Sequence, residues 1–198
     1  MNTTTEALAD VDYAFRHLEF AIRLMCYCEL GHLDLHCLDT DLAILFEREN
    51  VGFPSGTFAT IEAVVPASQA LVGMAFGTSA MVLDAAFDVA NLKRKPQSRQ
   101  PNDELRTLVY MVRCAFAHNP ALPLWEARGK EHARLLSLSA AGVPLSLDLA
   151  ALHGRPFEYD HIGGFAMWLR IRSASEAVIR DAQPTIPPDL SRQALPGR

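Results

Sequence analysis

What the chain lacks removes several kinds of chemistry. It has no glycine-rich loop of the phosphate-cradling kind, no dinucleotide fingerprint and no Gly-x-Ser-x-Gly elbow, which argues against nucleotide-driven and serine-hydrolase activities. It has no excess of positive charge. The formal net charge is −5, so no global basic field recruits nucleic acid and any RNA contact has to be local. Four cysteines are too sparse for a disulfide framework, and with no leader-like opening they are expected as reduced thiols of a cytoplasmic protein. Three of them crowd into CYCELGHLDLHC, where Cys26, Cys28, His32, His36 and Cys37 could bind metal in principle. Neither a Cys-x2-Cys pair nor a clean His pair is present, and Gly31 interrupts the helix that would align Cys28, His32 and His36, so no metal and no cofactor is expected.

Residues 63–83 carry no charge over a length that could span a bilayer. Pro66, Ser68, Gln69, Gly73, Gly77, Thr78 and Ser79 dilute that run, and no basic flank orients it, so a soluble core helix is expected rather than a membrane span. Gly73, Gly77 and Ala80 suit a central helix closely approached by its neighbours. With 198 residues, 49% of them hydrophobic, one sizeable core can form, and residues 1–182 are expected as a single domain. The Pro-containing segment 183–198 is expected as a disordered tail.

The elements follow from spacing and punctuation. Thr3-x-x-Glu6 is a capping box opening a first helix whose stripe runs Leu8, Val11, Phe15, Leu18, Ile22, Met25 until Gly31. Residues 32–65 are irregular. A second long helix is expected from about Pro66 to Leu92, and a third from Asn102 or Asp103 to His118. After Pro123, short β-compatible runs predict a small hairpin or meander, followed by a helical turn at Leu149–Leu152 closed by Gly154. A last helix, from about Gly163 to Asp181, carries Phe165, Trp168, Leu169 and Val178. The fold class is therefore mainly α, a helical bundle with a small β element after the third long helix.

The third helix carries the chemistry. In NDELRTLVYMVRCAFAHNP, residues 102–120, Leu105, Leu108, Val109, Val112 and Phe116 form one apolar stripe, and Arg113 and His118 lie outside it. Arg106, Tyr110 and Arg113 form one polar flank, while Thr107, Met111 and His118 drift to the other. Asn119-Pro120 ends the helix. A second Arg and His pair, Arg155 and His161, lies among Pro156, Gly154, Gly163 and Gly164 and is expected as loop.

An Arg followed by four residues and a His at the end of such a helix resembles the motif of HEPN domains, helical proteins that include many metal-independent ribonucleases. The resemblance covers this one helix. It implies a HEPN-like bundle, a two-fold homodimer with facing motifs, and an endoribonuclease in which His118 is general acid or base and Arg113 stabilises transition-state charge. Arg106, Tyr110 and Asn119 would support the site. Lys93, Arg94, Lys95 and Arg99, in the loop just before, would hold an RNA backbone. Five residues at about 100° each put Arg113 and His118 about 140° apart, so a shared site needs an early helix end or a second subunit. Cys114 stands where many such nucleases carry a polar residue. That and the acidic charge favour the alternative, a non-catalytic helical dimerisation or interaction module, in stress or phage-defence regulation, meeting a protein partner or antitoxin.

Overall fold

The computed structural model of the protein describes residues 3–182. Helix α1 spans Thr4–Glu29, and its capping box forms as expected: the Glu6 amide donates to Thr3 Oγ1 at 3.2 Å and the Thr3 amide donates to Glu6 Oε2 at 2.7 Å. Val11, Phe15 and Leu18 are buried, and Leu8, Ile22 and Met25 pack beside them. The chain then leaves the helix at Gly31, whose φ of +68° costs a glycine little, while the His32 amide donates back to the Tyr27 carbonyl.

A four-residue helix α2 (Leu35–Leu38) leads into an antiparallel pair, β1 (Leu42–Leu45) and β2 (Asn50–Phe53), with Leu42 opposite Phe53 and Leu45 opposite Asn50. This hairpin stands in a region expected to be irregular. Its strands are exposed on both faces save for Val51, so no in-out alternation marks it in the sequence. Asp39 and Asp41 fasten its return by accepting from the amides of Gly56, Phe58 and Ser55.

Helix α3 spans Ile61–Val89, starting five residues before the expected Pro66. Proline is favoured in a first turn, but here it sits in the second and forfeits one backbone bond. Burial of Val64 and Ser68 holds the extra turn. α3 is the one described helix long and apolar enough to cross a bilayer, and half of its apolar window is buried inside the protein. It packs along α1 and against helix α4 (Pro101–Ala117). The close approach expected at Gly77 is found, since a Cβ there would meet the Phe116 ring at 2.8 Å. At the end of α3, Asn91 takes the left-handed position with φ +57° and the Leu92 amide closes onto the Phe87 carbonyl.

α4 departs from the single-stripe expectation. Glu104 through Val109, Met111, Val112, Ala115 and Phe116 are all buried, because α3, the β element after α4 and the last helix cover it on several sides. Thr107 and Met111 therefore lie in the interior rather than on a polar flank. The expected hairpin after α4 is present as β3 (Leu135–Ser137) and β4 (Ser146–Asp148), antiparallel with Leu136 opposite Leu147. Helix α5 (Leu149–Leu152) is the expected helical turn, closed by Gly154 in the left-handed region. Helix α6 (Gly164–Asp181) buries Trp168, Ile171 and Ile179, while Leu169 is exposed because Trp168 takes the inward face.

One buried cluster joins α1, α3, α4, α6 and the β3–β4 region. Phe76 is at its centre, with the rings of Phe116, Phe157, Tyr159 and Trp168 at 5.0–5.5 Å. The structure is thus mainly helical with two small antiparallel strand pairs. The tail expected at 183–198 lies outside the described residues.

Candidate functional site on helix α4

The helical backbone persists through His118, which has φ −95° and ψ −39° and caps α4. No early helix end swings it back toward Arg113. The His118 side chain is 77% exposed, and its Nε2 lies 3.6 Å from Glu126 Oε2 in the segment that follows. Asn119 has a local task, since its Oδ1 accepts from the amides of Ala121 and Leu122 and so builds the turn out of the helix.

Arg113 is half-buried. Its guanidinium stands 6.0 Å from the Tyr110 ring centroid, and Nη1 lies 4.0 Å from Cys114 Sγ. Tyr110 gathers more than the sequence suggests: Arg94 stacks over its ring at 4.0 Å and the His132 ring lies 5.7 Å away. Hydrogen bonding with Cys114, and then burial, push the Tyr110 phenol above its ordinary range. Burial pushes the His132 imidazole down, and its Nδ1 has no partner among the described residues. His132 and Glu126 follow no periodic pattern; only the tertiary fold brings them to α4.

Arg106 is not on a polar flank. It is 2% exposed, with Nη1 donating to the Asp84 carbonyl at 3.1 Å and Nη2 to Asp88 Oδ1 at 2.5 Å, and it lies over the Phe87 ring. Its role is to tie α4 to α3. Among the described residues, Arg106 Nε and Asp84 Oδ1 are buried without hydrogen-bond partners, a cost of about 1–3 kcal/mol each. Burial raises the Asp84 carboxyl above its ordinary value, against the pull of Arg106, and burial lowers the Arg106 guanidinium.

The four basic loop residues divide. Arg94 reaches the middle of α4 at Tyr110, while Lys95 Nζ is 4.0 Å from Asp103 Oδ1 at the start of the helix. Arg99 has a structural partner, donating from Nη1 to the Leu135 carbonyl at 2.9 Å. Lys93 is exposed. α4 is 17 residues long, so its two ends lie about 25 Å apart, and Lys95 and Arg99 are remote from His118. Among the described residues no group of His, Cys, Asp or Glu is arranged to hold a metal, and Cys26 and Cys37 are exposed free thiols.

The structure thus brings Arg94, Tyr110, Arg113, Cys114 and His132 together on one flank of α4 and sets His118 with Glu126 at its end. No family profile, curated protein or solved structure matches the chain.

Proposed function

We propose that the protein is a HEPN-like endoribonuclease that cleaves RNA without metal as a homodimer. Within one chain Arg113 and His118 stay apart, so the reading needs a second copy to complete the site. The observation that carries it is the position of the helix end: a Cβ on Gly73 would lie 3.7 Å from the Pro120 carbonyl, beside an exposed apolar face. That face is formed on α1 by Tyr13, Phe20 and Tyr27, spaced at seven, the first two each 63% exposed, and on α3 by Met74 and Met81. A seven-residue apolar repeat is what pairs helices side by side, and a two-fold through it would set two His118 residues near one seam.

In that arrangement one imidazole takes the proton of an RNA 2′-hydroxyl. The 2′-oxygen bonds to phosphorus, the bond to the 5′-oxygen breaks, and the second imidazole gives that oxygen its proton. Arg113 and Arg94 bear on the phosphoryl charge that develops. The products are a 2′,3′-cyclic phosphate and a 5′-hydroxyl.

The test is cleavage by purified protein in EDTA. His118→Ala and Arg113→Ala are each expected to lower the rate at least about a hundredfold with the fold intact. All-DNA substrate should be inert, and light scattering should give a dimer that Phe20→Asp splits. If no RNA is cut, or if the double variant cuts as fast as wild type, the nuclease reading is lost. The second reading, a non-catalytic interaction module for a protein partner, draws on the β1–β2 hairpin, where Leu42, Leu45, Phe46 and Phe53 stand exposed.

A further inference from the structure

The β1–β2 hairpin has no buried residue, yet its pairing sorts its side chains by face. Residues two apart along a strand share a face, and so do partners across the ladder. Leu42 stands opposite Phe53 and Ile44 opposite Val51, and the Phe46 amide donates to the Glu49 carbonyl, so Leu42, Ile44, Phe46, Val51 and Phe53 lie together on one face. The other face carries Ala43, Leu45, Asn50 and Gly52. None of the five apolar residues belongs to the buried cluster, and Leu42, Phe46 and Phe53 are 52–54% exposed. A two-stranded hairpin is marginal in water unless something packs on its apolar face. At its base lies an apolar hollow of about 180 Å³, whose lining includes Cys28, Leu38, Phe58, Val64 and Leu71. Asp39, the residue after Leu38, holds that base by accepting from the Phe58 amide. An apolar space of about 150 Å³ is enough for one aromatic ring. The chain therefore carries a knob, Phe46, at the hairpin tip and a hole at the hairpin base, about 13 Å of strand apart.

We propose that a second copy of the chain covers this face, the two hairpins packing face to face about a two-fold axis so that Phe46 of each enters the hollow at the base of the other. A knob and a hole on one molecule, displaced along one element, are what an isologous contact requires. The area agrees. The five face residues with Leu38 and Phe58 leave roughly 600 Å² uncovered per copy, about 1,200 Å² for the pair, at the small end of specific interfaces. Glu47 and Glu49 outnumber Arg48 at the tip, and Asp39 and Asp41 stand at the base, which suits neither RNA nor an anionic membrane. This face is separate from the one on α1 and α3, and the proposal does not rest on the nuclease reading. A contact of this size forms at high concentration, where it would join helix-face dimers into tetramers.

The experiment uses the full chain carrying Phe20→Asp, which removes the helix-face contact, so that a missing nuclease dimer and a missing hairpin contact are told apart. Sedimentation equilibrium from about 5 µM to about 500 µM is expected to show monomer passing to dimer, with a Kd on the order of 100 µM. Adding Phe46→Asp should weaken that association at least about tenfold. Ala67→Phe, at an exposed position in the lining, fills the hollow without opening the core and should do the same. Thermal unfolding of both variants should match the parent, since neither position is buried. A protein that stays monomeric throughout overturns the proposal. Binding of that monomer to phosphatidylcholine vesicles then assigns the face to a lipid surface, and no vesicle binding leaves it to a different protein. A dimer that survives both Phe46→Asp and Ala67→Phe overturns the proposal as well, whether or not wild-type protein cuts RNA.

Discussion

Two buried ion pairs stand two residues apart on α4 and differ in how completely they are closed. At Glu104 every side-chain group is engaged. Arg134 donates from Nη1 to Glu104 Oε1 at 2.7 Å, from Nη2 to the Ser98 carbonyl and from Nε to the Pro96 carbonyl, while Glu104 Oε2 accepts from the Ser137 amide. This network staples β3 and the basic loop to α4. At Arg106 the Nε and the facing Asp84 Oδ1 are left over. Burial of similar depth thus has two outcomes: closed, the network fixes architecture, and open, it leaves buried polar atoms whose desolvation is not offset.

The largest effect that could break this comparison is at the closed network. Arg134→Ala takes the 2.7 Å partner from the buried Glu104 carboxylate, leaving it only Arg99 at 3.5 Å and the Ser137 amide, and releases the loop, and should cost about 3 kcal/mol in urea unfolding. Asp84→Asn, at the open one, removes a carboxyl whose charge is already disfavoured by burial and should cost less than about 1.5 kcal/mol. Equal losses would mean that the two networks do not differ.

Acid sharpens the same contrast. Burial pushes the Glu104 carboxyl up, but the hydrogen bonds from Arg134 and the Ser137 amide outweigh it and hold the carboxyl below its ordinary 4.5. Stability from Glu104 is therefore present above pH 4.5 and lost as pH falls through the folded value. Asp84 runs the other way: its folded value lies above 3.8, so protonation adds stability as pH falls toward 3.8. Glu104→Gln should flatten the acid loss of stability and Asp84→Asn should steepen it, read as unfolding midpoints across about pH 3–6. The smallest effect belongs to the far end of the helix, where Asn119→Ala removes only a turn and should cost about 0.5–1.5 kcal/mol with α4 otherwise unchanged.

What could be read from the sequence was what is local. The Thr3–Glu6 capping box, the stop at Gly31, the limits of α4 and α6 and the hairpin after α4 all rest on neighbours within a few residues, where spacing and punctuation act directly. The β1–β2 hairpin was not legible because its burial does not alternate. Nor was the burial of Arg106, since an arginine on a periodic helix reads as polar surface until Asp84 and Asp88, about twenty residues earlier, come to meet it. The candidate site was legible in the identities of Arg113, His118, Tyr110 and Arg94 but not in how they meet. That Arg94 and His132 close on Tyr110, and that Glu126 stands by His118, depends on how the loops on either side of α4 return to it.

The aromatic cluster around Phe76 also equips the molecule with its own optical reporter. The chain has two tryptophans, and both are fully buried: Trp168 donates its indole N–H to Ser79 Oγ, and Trp125 donates to His161 Nδ1. They stand at opposite sides of Phe157 and Phe76, one on α6 and one in the segment that follows α4. Native emission should accordingly be blue-shifted, and each indole replaced by Phe in turn would make the other a single-site probe. Loosening of the α4 exit could then be told apart from loosening of the bundle by which colour change comes first.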